Sequence, residues 1–220
     1  MRNIMRVLFL AGLATFVSAC ENDESEGIMK GVIRFPSIIL QGNELTFIGE
    51  DELYSDAGAN AFLGLDDITN DMVTESTVDT SIPGVYTVNY SASVINELGQ
   101  ESVATEQRLV VVYPANPNTV NDLTGTYKRT SNGGLSVWTK VEDVPGVYTV
   151  TNIGGVVPPT SALLEITAYA FHFEDGAVEI PAQPVFNGIL SADLTLSPAG
   201  YTIVLSHPNF GTNARIFVKQ

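Results

Sequence analysis

Few residues in this chain have the type and setting for acid–base or nucleophilic chemistry. Its 220 residues include one cysteine, Cys20, and two histidines. His172 sits in Tyr169-Ala170-Phe171-His172-Phe173, where alternation places it on one face of a strand; His207 precedes Pro208 in a turn-like Ser-His-Pro. Neither accompanies a nucleophile motif such as Gly-x-Ser-x-Gly, so a surface or core-edge histidine is the reading for both. A glycosidase needs two carboxyls roughly 5–9 Å apart across the sugar, and 25 Asp and Glu leave that open. Glu174-Asp175-Gly176, however, reads as a hairpin turn. Asp56, Asp66, Asp67 and Asp71 are oxygen donors of the kind calcium takes, but their spacing is not that of an EF-hand loop; a solvated acidic loop is the first reading. No cofactor is implied.

The remaining chemistry is stacking. Trp138, the single tryptophan, lies in Ser136-Val137-Trp138-Thr139-Lys140, with Tyr127, Tyr148, Tyr169 and Phe210 in the same half of the chain. Alternation puts Trp138 on the face of Ser136 and Lys140, which predicts an exposed ring able to stack on a sugar. Trp138, Tyr127 and Tyr148 are therefore the candidate ligand-binding residues, against a core role for the tryptophan.

The elements that must position these residues read as strands throughout, with no sustained helical period. Ser37–Leu40, Leu45–Phe47, Val85–Ala92 and Glu106–Tyr113 are β runs separated by Gly42-Asn43, Asp56–Gly58, Pro83-Gly84 and Leu98-Gly99. Short strands at such spacing over about 80 residues indicate a β-sandwich. Pro114–Asn118 marks a boundary, giving a first domain at 35–113, a linker at 114–119 and a second β-rich domain at 120–220. The latter shows eight β runs, 125–130, 135–141, 147–151, 163–173, 177–180, 189–196, 201–205 and 214–218, with turns at Asn132–Gly134, Pro145-Gly146, Glu174–Gly176 and Pro198–Gly200. The fold class is all-β: a sandwich, then a second antiparallel domain that is a barrel or a sandwich. Ile82–Val88 recurs as Val144–Val150, a shared turn-plus-strand solution rather than a repeat architecture.

At the amino end, Arg2 and Arg6 precede the apolar run Val7–Val17 and the small residues Ser18 and Ala19. That order predicts a signal peptide at 1–19, with a core too short to span a bilayer. Val17-Ser18-Ala19-Cys20 resembles the bacterial lipobox, which implies a diacylglyceryl group on Cys20 and membrane anchoring by two or three acyl chains. The mature chain would then hold no free thiol, hence no disulfide, thiol catalysis or cysteine metal site. Residues 20–34 open on the acidic tether Glu21–Glu26. Ten Lys and Arg, less Arg2 and Arg6, stand against 25 carboxylates. Such acidity argues against nucleic acid. The charge is concentrated before residue 114, so the nearly neutral second domain is the better place for a neutral ligand.

Tyr54-Ser55-Asp56-Ala57-Gly58-Ala59-Asn60-Ala61, then Val78-Asp79-Thr80-Ser81-Ile82-Pro83-Gly84-Val85-Tyr86-Thr87-Val88-Asn89-Tyr90-Ser91-Ala92, then Arg108-Leu109-Val110-Val111-Val112, resemble in order a bacterial immunoglobulin-like surface domain. Departures at Asp56-Ala57-Gly58 and Leu65-Asp66-Asp67 and the longer loop Val94–Gly99 weaken any carry-over of calcium binding. With the acidic residues after Cys20, the organisation resembles Bacteroidetes-type surface lipoproteins. The resemblance implies an outer-membrane, cell-surface location and a non-catalytic glycan-binding role beside outer-membrane uptake proteins. A structural or adhesive envelope protein, and a glycosidase-like enzyme, are the alternatives.

Overall fold

The computed structural model describes residues 34–96, 98–157 and 165–220. The expected signal peptide at 1–19, Cys20 and all but the last residue of the expected tether at 20–34 lie outside them. The fold is all-β: fifteen strands are described, and the helical turn among the described residues is the 3-10 segment Thr69–Asp71.

The first seven strands are β1 (Pro36–Leu40), β2 (Leu45–Gly49), β3 (Ala59–Leu63), β4 (Asp66–Asp67), β5 (Val73–Ser76), β6 (Gly84–Ile95) and β7 (Glu101–Tyr113). They form a three-stranded sheet, β1-β3-β4, facing a four-stranded sheet, β2-β7-β6-β5, in which β2 runs parallel to β7. Even-numbered positions of β6 and β7 (Val88, Tyr90, Ala92, Val110, Val112) point between the sheets and pack on Ile38, Ile48, Ala59 and Ala61, the two-residue period of a strand with one face in a core.

The other eight strands are β8 (Gly125–Arg129), β9 (Leu135–Lys140), β10 (Val147–Thr151), β11 (Ala168–His172), β12 (Val178–Val185), β13 (Gly188–Ser197), β14 (Gly200–Ser206) and β15 (Arg215–Lys219). Each pairs antiparallel with its neighbour in sequence, and β15 returns to β8, so the sheet closes into a barrel with no free edge. One ladder is completed by a side chain. In the β11–β12 register Tyr169 falls opposite Pro181, which has no N–H to donate. A bulge between Ile180 and Gln183 brings the Gln183 amide into that place. The Tyr169 N–H donates to Gln183 Oε1 at 2.7 Å, and Gln183 Nε2 donates to the Tyr169 carbonyl at 3.0 Å.

The two units share a third apolar cluster. Odd-numbered positions of the first unit's sheet, Val85 and Val111 with Leu45, Phe47, Leu109 and Tyr113, meet the outer barrel wall at Val147 and Phe171, with Val141, Val144, Tyr169 and Phe173. Phe47 and Tyr169 touch edge-to-face at 5.8 Å. Val85 and Val147, corresponding positions of the echoed heptapeptide, are buried in this same cluster. The intervening residues are tied down as well. The Ala115 N–H donates to Glu50, the Asn118 N–H to the His172 carbonyl, and the Glu174 N–H to the Asn116 carbonyl.

Candidate functional site

Asp56 is the centre of the first unit's polar chemistry. Burial pushes its pKa up, but hydrogen bonds from Tyr90, Tyr54, Arg108 and the Gly58 N–H prevail and hold it below the usual carboxylate value. Tyr54 OH donates at 2.8 Å, Tyr90 OH at 2.5 Å and Gly58 N–H at 2.8 Å, while Arg108 Nη1 closes an ion pair. Arg108, 1% exposed, also donates through Nε to the Asn43 carbonyl at 2.8 Å and through Nη2 to the carbonyls of Gln41 and Gly58. The Tyr-x-Asp-x-Gly stretch, Tyr90 and Arg108 are thus a staple between distant loops and β7. The calcium reading of the aspartates does not hold together here. Asp56 is committed to Arg108, Asp66 and Asp67 lie exposed on the short strand β4, and Asp67 accepts from the Thr69 N–H at 2.9 Å. Among the described residues no three carboxylate, histidine or cysteine side chains converge as metal ligands.

The exposed stacking platform is corrected by the structure. Ser136 and Trp138 do share a face, but it is the barrel's inner face, while Val137 and Thr139 point out. Trp138 and Tyr148 are 1% exposed and Tyr127 is 5%. Their rings pack on one another and on Tyr201, with centroids 5.1–6.0 Å apart. Ser136 is tolerated inside because it is small and its hydroxyl donates to the Thr151 carbonyl at 3.2 Å. The four rings plug the barrel end where the linker enters: Tyr127 OH donates to the Leu123 carbonyl at 2.8 Å. Trp138 Nε1 and the Tyr201 hydroxyl are buried there without an ordinary hydrogen bond, and burial raises the Tyr201 pKa to about 12.

The histidines are structural in their contacts. His172 is buried on the inner wall beside Tyr148, and burial depresses its pKa. His207 accepts the Asn209 N–H on Nδ1, which leaves Nε2 to donate to the Phe186 carbonyl at 3.2 Å. A depression over β12 and β13 holds Glu179 and Asp193. Both are open to solvent, whereas a glycosidase acid needs shielding to keep its proton at neutral pH.

At the opposite end of the barrel from the linker, the turn 130–134 and the loops at 152–156 and 207–214 surround two inward positions that sequence reading did not single out. Arg129 ends β8 and Arg215 begins β15. Arg215 is 7% exposed. Arg129 Nη1 donates to the Gly154 carbonyl at 3.2 Å; Arg215 Nη1 donates to the carbonyls of Gly211 and Asn213 at 3.3 and 3.4 Å and its guanidinium lies 5.2 Å from the Phe210 ring centroid. Gly154 and Gly155 let the loop close in, since a Cβ on either would sit 2.7 Å from Phe210 or Phe217. The available signal was arginine at inward positions of an alternating strand.

Residues 38–112 match a family described as bacterial surface protein, Ig-like domain. No curated protein matches the chain. A crystallised lipoprotein from Bacteroides thetaiotaomicron is 21% identical, with 84% of this chain and 100% of that one covered and a TM-score of 0.40. The chain therefore carries an immunoglobulin-like domain of the bacterial surface protein type over residues 38–112, followed by an eight-stranded antiparallel barrel.

Proposed function

We propose that the protein is a non-catalytic lipoprotein, anchored through Cys20 at the outer-membrane surface, that uses its barrel to bind glycan as an accessory to polysaccharide uptake. The observation that carries this reading is a surface-type immunoglobulin-like domain joined through a buried apolar interface to a closed barrel. Such a joint suits a spacer that holds a recognition unit at a fixed attitude away from the bilayer. With Trp138, Tyr127 and Tyr148 inside the barrel, glycan contact falls to its loops and ends rather than to a tryptophan face. Protease shaving of intact native cells should release the barrel, and mass spectrometry of the membrane fraction should find an acylated Cys20. Retention of the purified mature chain on immobilised polysaccharides tests the binding role. An unmodified Cys20, or no retention on any polysaccharide, counts against the respective half of the proposal.

A second reading, adhesion to another protein, is favoured by one feature. The β6–β7 hairpin extends past its neighbour strand, and Ile95, Leu98 and Val103 near its tip are 72, 68 and 56% exposed. Replacing all three by serine would abolish adhesion of this kind while leaving polysaccharide retention intact.

A further inference from the structure

The mature chain beyond Cys20 has four arginines, in the company of 25 carboxylates. Arg34 pairs with Asp66 and Arg108 with Asp56. Neither Arg129 nor Arg215 takes part in any of the three ion pairs found among the described residues. Yet these are the two whose side chains turn into the barrel. Arg129 lies directly across the ladder from Phe217, and Arg215 is two residues before Phe217 on the same inward face. The Nε atoms of both are buried and donate to nothing. A buried cation without a counter-charge is costly, which is why buried charges are normally paired. In so acidic a protein a carboxylate partner would have been easy to supply.

Each guanidinium offers five N–H donors in a planar fork. The carbonyls of Gly154, Gly211 and Asn213 engage one nitrogen of each arginine and orient the two forks. Burial, and after it the positive charge of Arg129, pulls the pKa of Arg215 down, so each guanidinium lies within the other's field. Arg129 is only partly buried, so of the two it is the one with a share of its surface in solvent, whereas Arg215 is 7% exposed.

We propose that this mouth is an oxyanion-binding site, in which Arg129 and Arg215 clamp a single carboxylate or sulfate group. Resting on the glycan-binding reading above, the group would be the uronate or sulfate ester of an acidic polysaccharide. Two forks converging on one planar or tetrahedral oxyanion give bidentate contacts that a lysine cannot reproduce.

The test uses the mature chain with Cys20→Ser, titrated calorimetrically at constant ionic strength with sodium sulfate, an oligogalacturonide, a sulfated oligosaccharide and a neutral oligosaccharide. One of the acidic oligosaccharides should bind, with affinity falling at least tenfold in Arg215→Lys and in Arg129→Gln. Arg129→Gln, at the more accessible position, guards against loss of fold, and its circular dichroism and melting curve should match the parent. Sulfate binding that both substitutions abolish, without binding of any oligosaccharide, would uphold the oxyanion site and remove the glycan reading. Neutral oligosaccharide bound equally by parent and variants would do the reverse. Absence of any anion binding, or anion binding indifferent to both substitutions, would overturn the site and leave the arginines as loop clamps alone.

Discussion

Asp56 and Arg108 illustrate how a motif that looks like ligand chemistry can be spent on the fold. With 25% and 2% of their side chains exposed, they form a mostly buried pair whose remaining donors and acceptors are filled by Tyr54, Tyr90 and backbone groups. Removing one member of such a pair strands the other, so Asp56→Ala should cost about 3 kcal/mol in urea denaturation. The pH dependence follows from the depressed pKa of Asp56. Its contribution is complete above the ordinary value of 3.8 and is lost as pH falls through that value towards the lower folded one, because only the unfolded chain takes up the proton first. His172 acts in the same direction at higher pH. Burial lowers its pKa below 6.5, so the folded state keeps it neutral where the unfolded chain is already charged. Melting temperature should therefore decline as pH drops below about 6.5, and His172→Phe should flatten that part of the profile.

At the scale of elements, Gln183 and Trp138 make separate predictions. Gln183→Leu leaves the N–H and C=O of Tyr169 without partners beside Pro181. It should cost about 1–3 kcal/mol and raise the amide exchange rate of Tyr169. Trp138→Ala removes the largest ring from the barrel plug and should cost about 3–5 kcal/mol by the same denaturation measurement. An exposed platform would have made that substitution nearly silent. The two residues also mark what could be read in advance. Alternation and turn chemistry located all eight barrel strands, since both are local properties of the chain. Closure of β15 onto β8 is a long-range pairing with no local trace. Alternation likewise assigned Ser136, Trp138 and Lys140 to one face without saying which way it points; the polar neighbours suggested outward, and a hydroxyl that donates to a backbone carbonyl made inward acceptable. Arg108 was visible only as part of a strand ending, because its partner Asp56 is 52 residues away. Arg129 and Arg215 were unremarkable for the same reason: they are 86 positions apart in number and come onto paired strands only once the barrel closes.

For the whole molecule, the decisive surface is the one between the two units. Its sequence signature was present in Leu109–Tyr113 and Tyr169–Phe173, where almost every position is apolar. A strand buried on both faces reads that way, whereas a strand with one solvated face alternates. Val111 and Phe171, both fully buried, stand at the centre of the contact. Val111→Asp should separate the units without destroying either core. Solution scattering should then show an increased radius of gyration, and the single thermal transition should split into two. The parent protein should instead scatter as one particle of fixed shape.

That shared apolar surface also limits how such a chain can be recombined. A sandwich joined to its neighbours by solvated tethers can be swapped, duplicated or cut out like a bead on a string. Here excision of either half would leave valines and aromatic rings facing water, so a cut between the halves has to be accompanied by polar replacements on the exposed face.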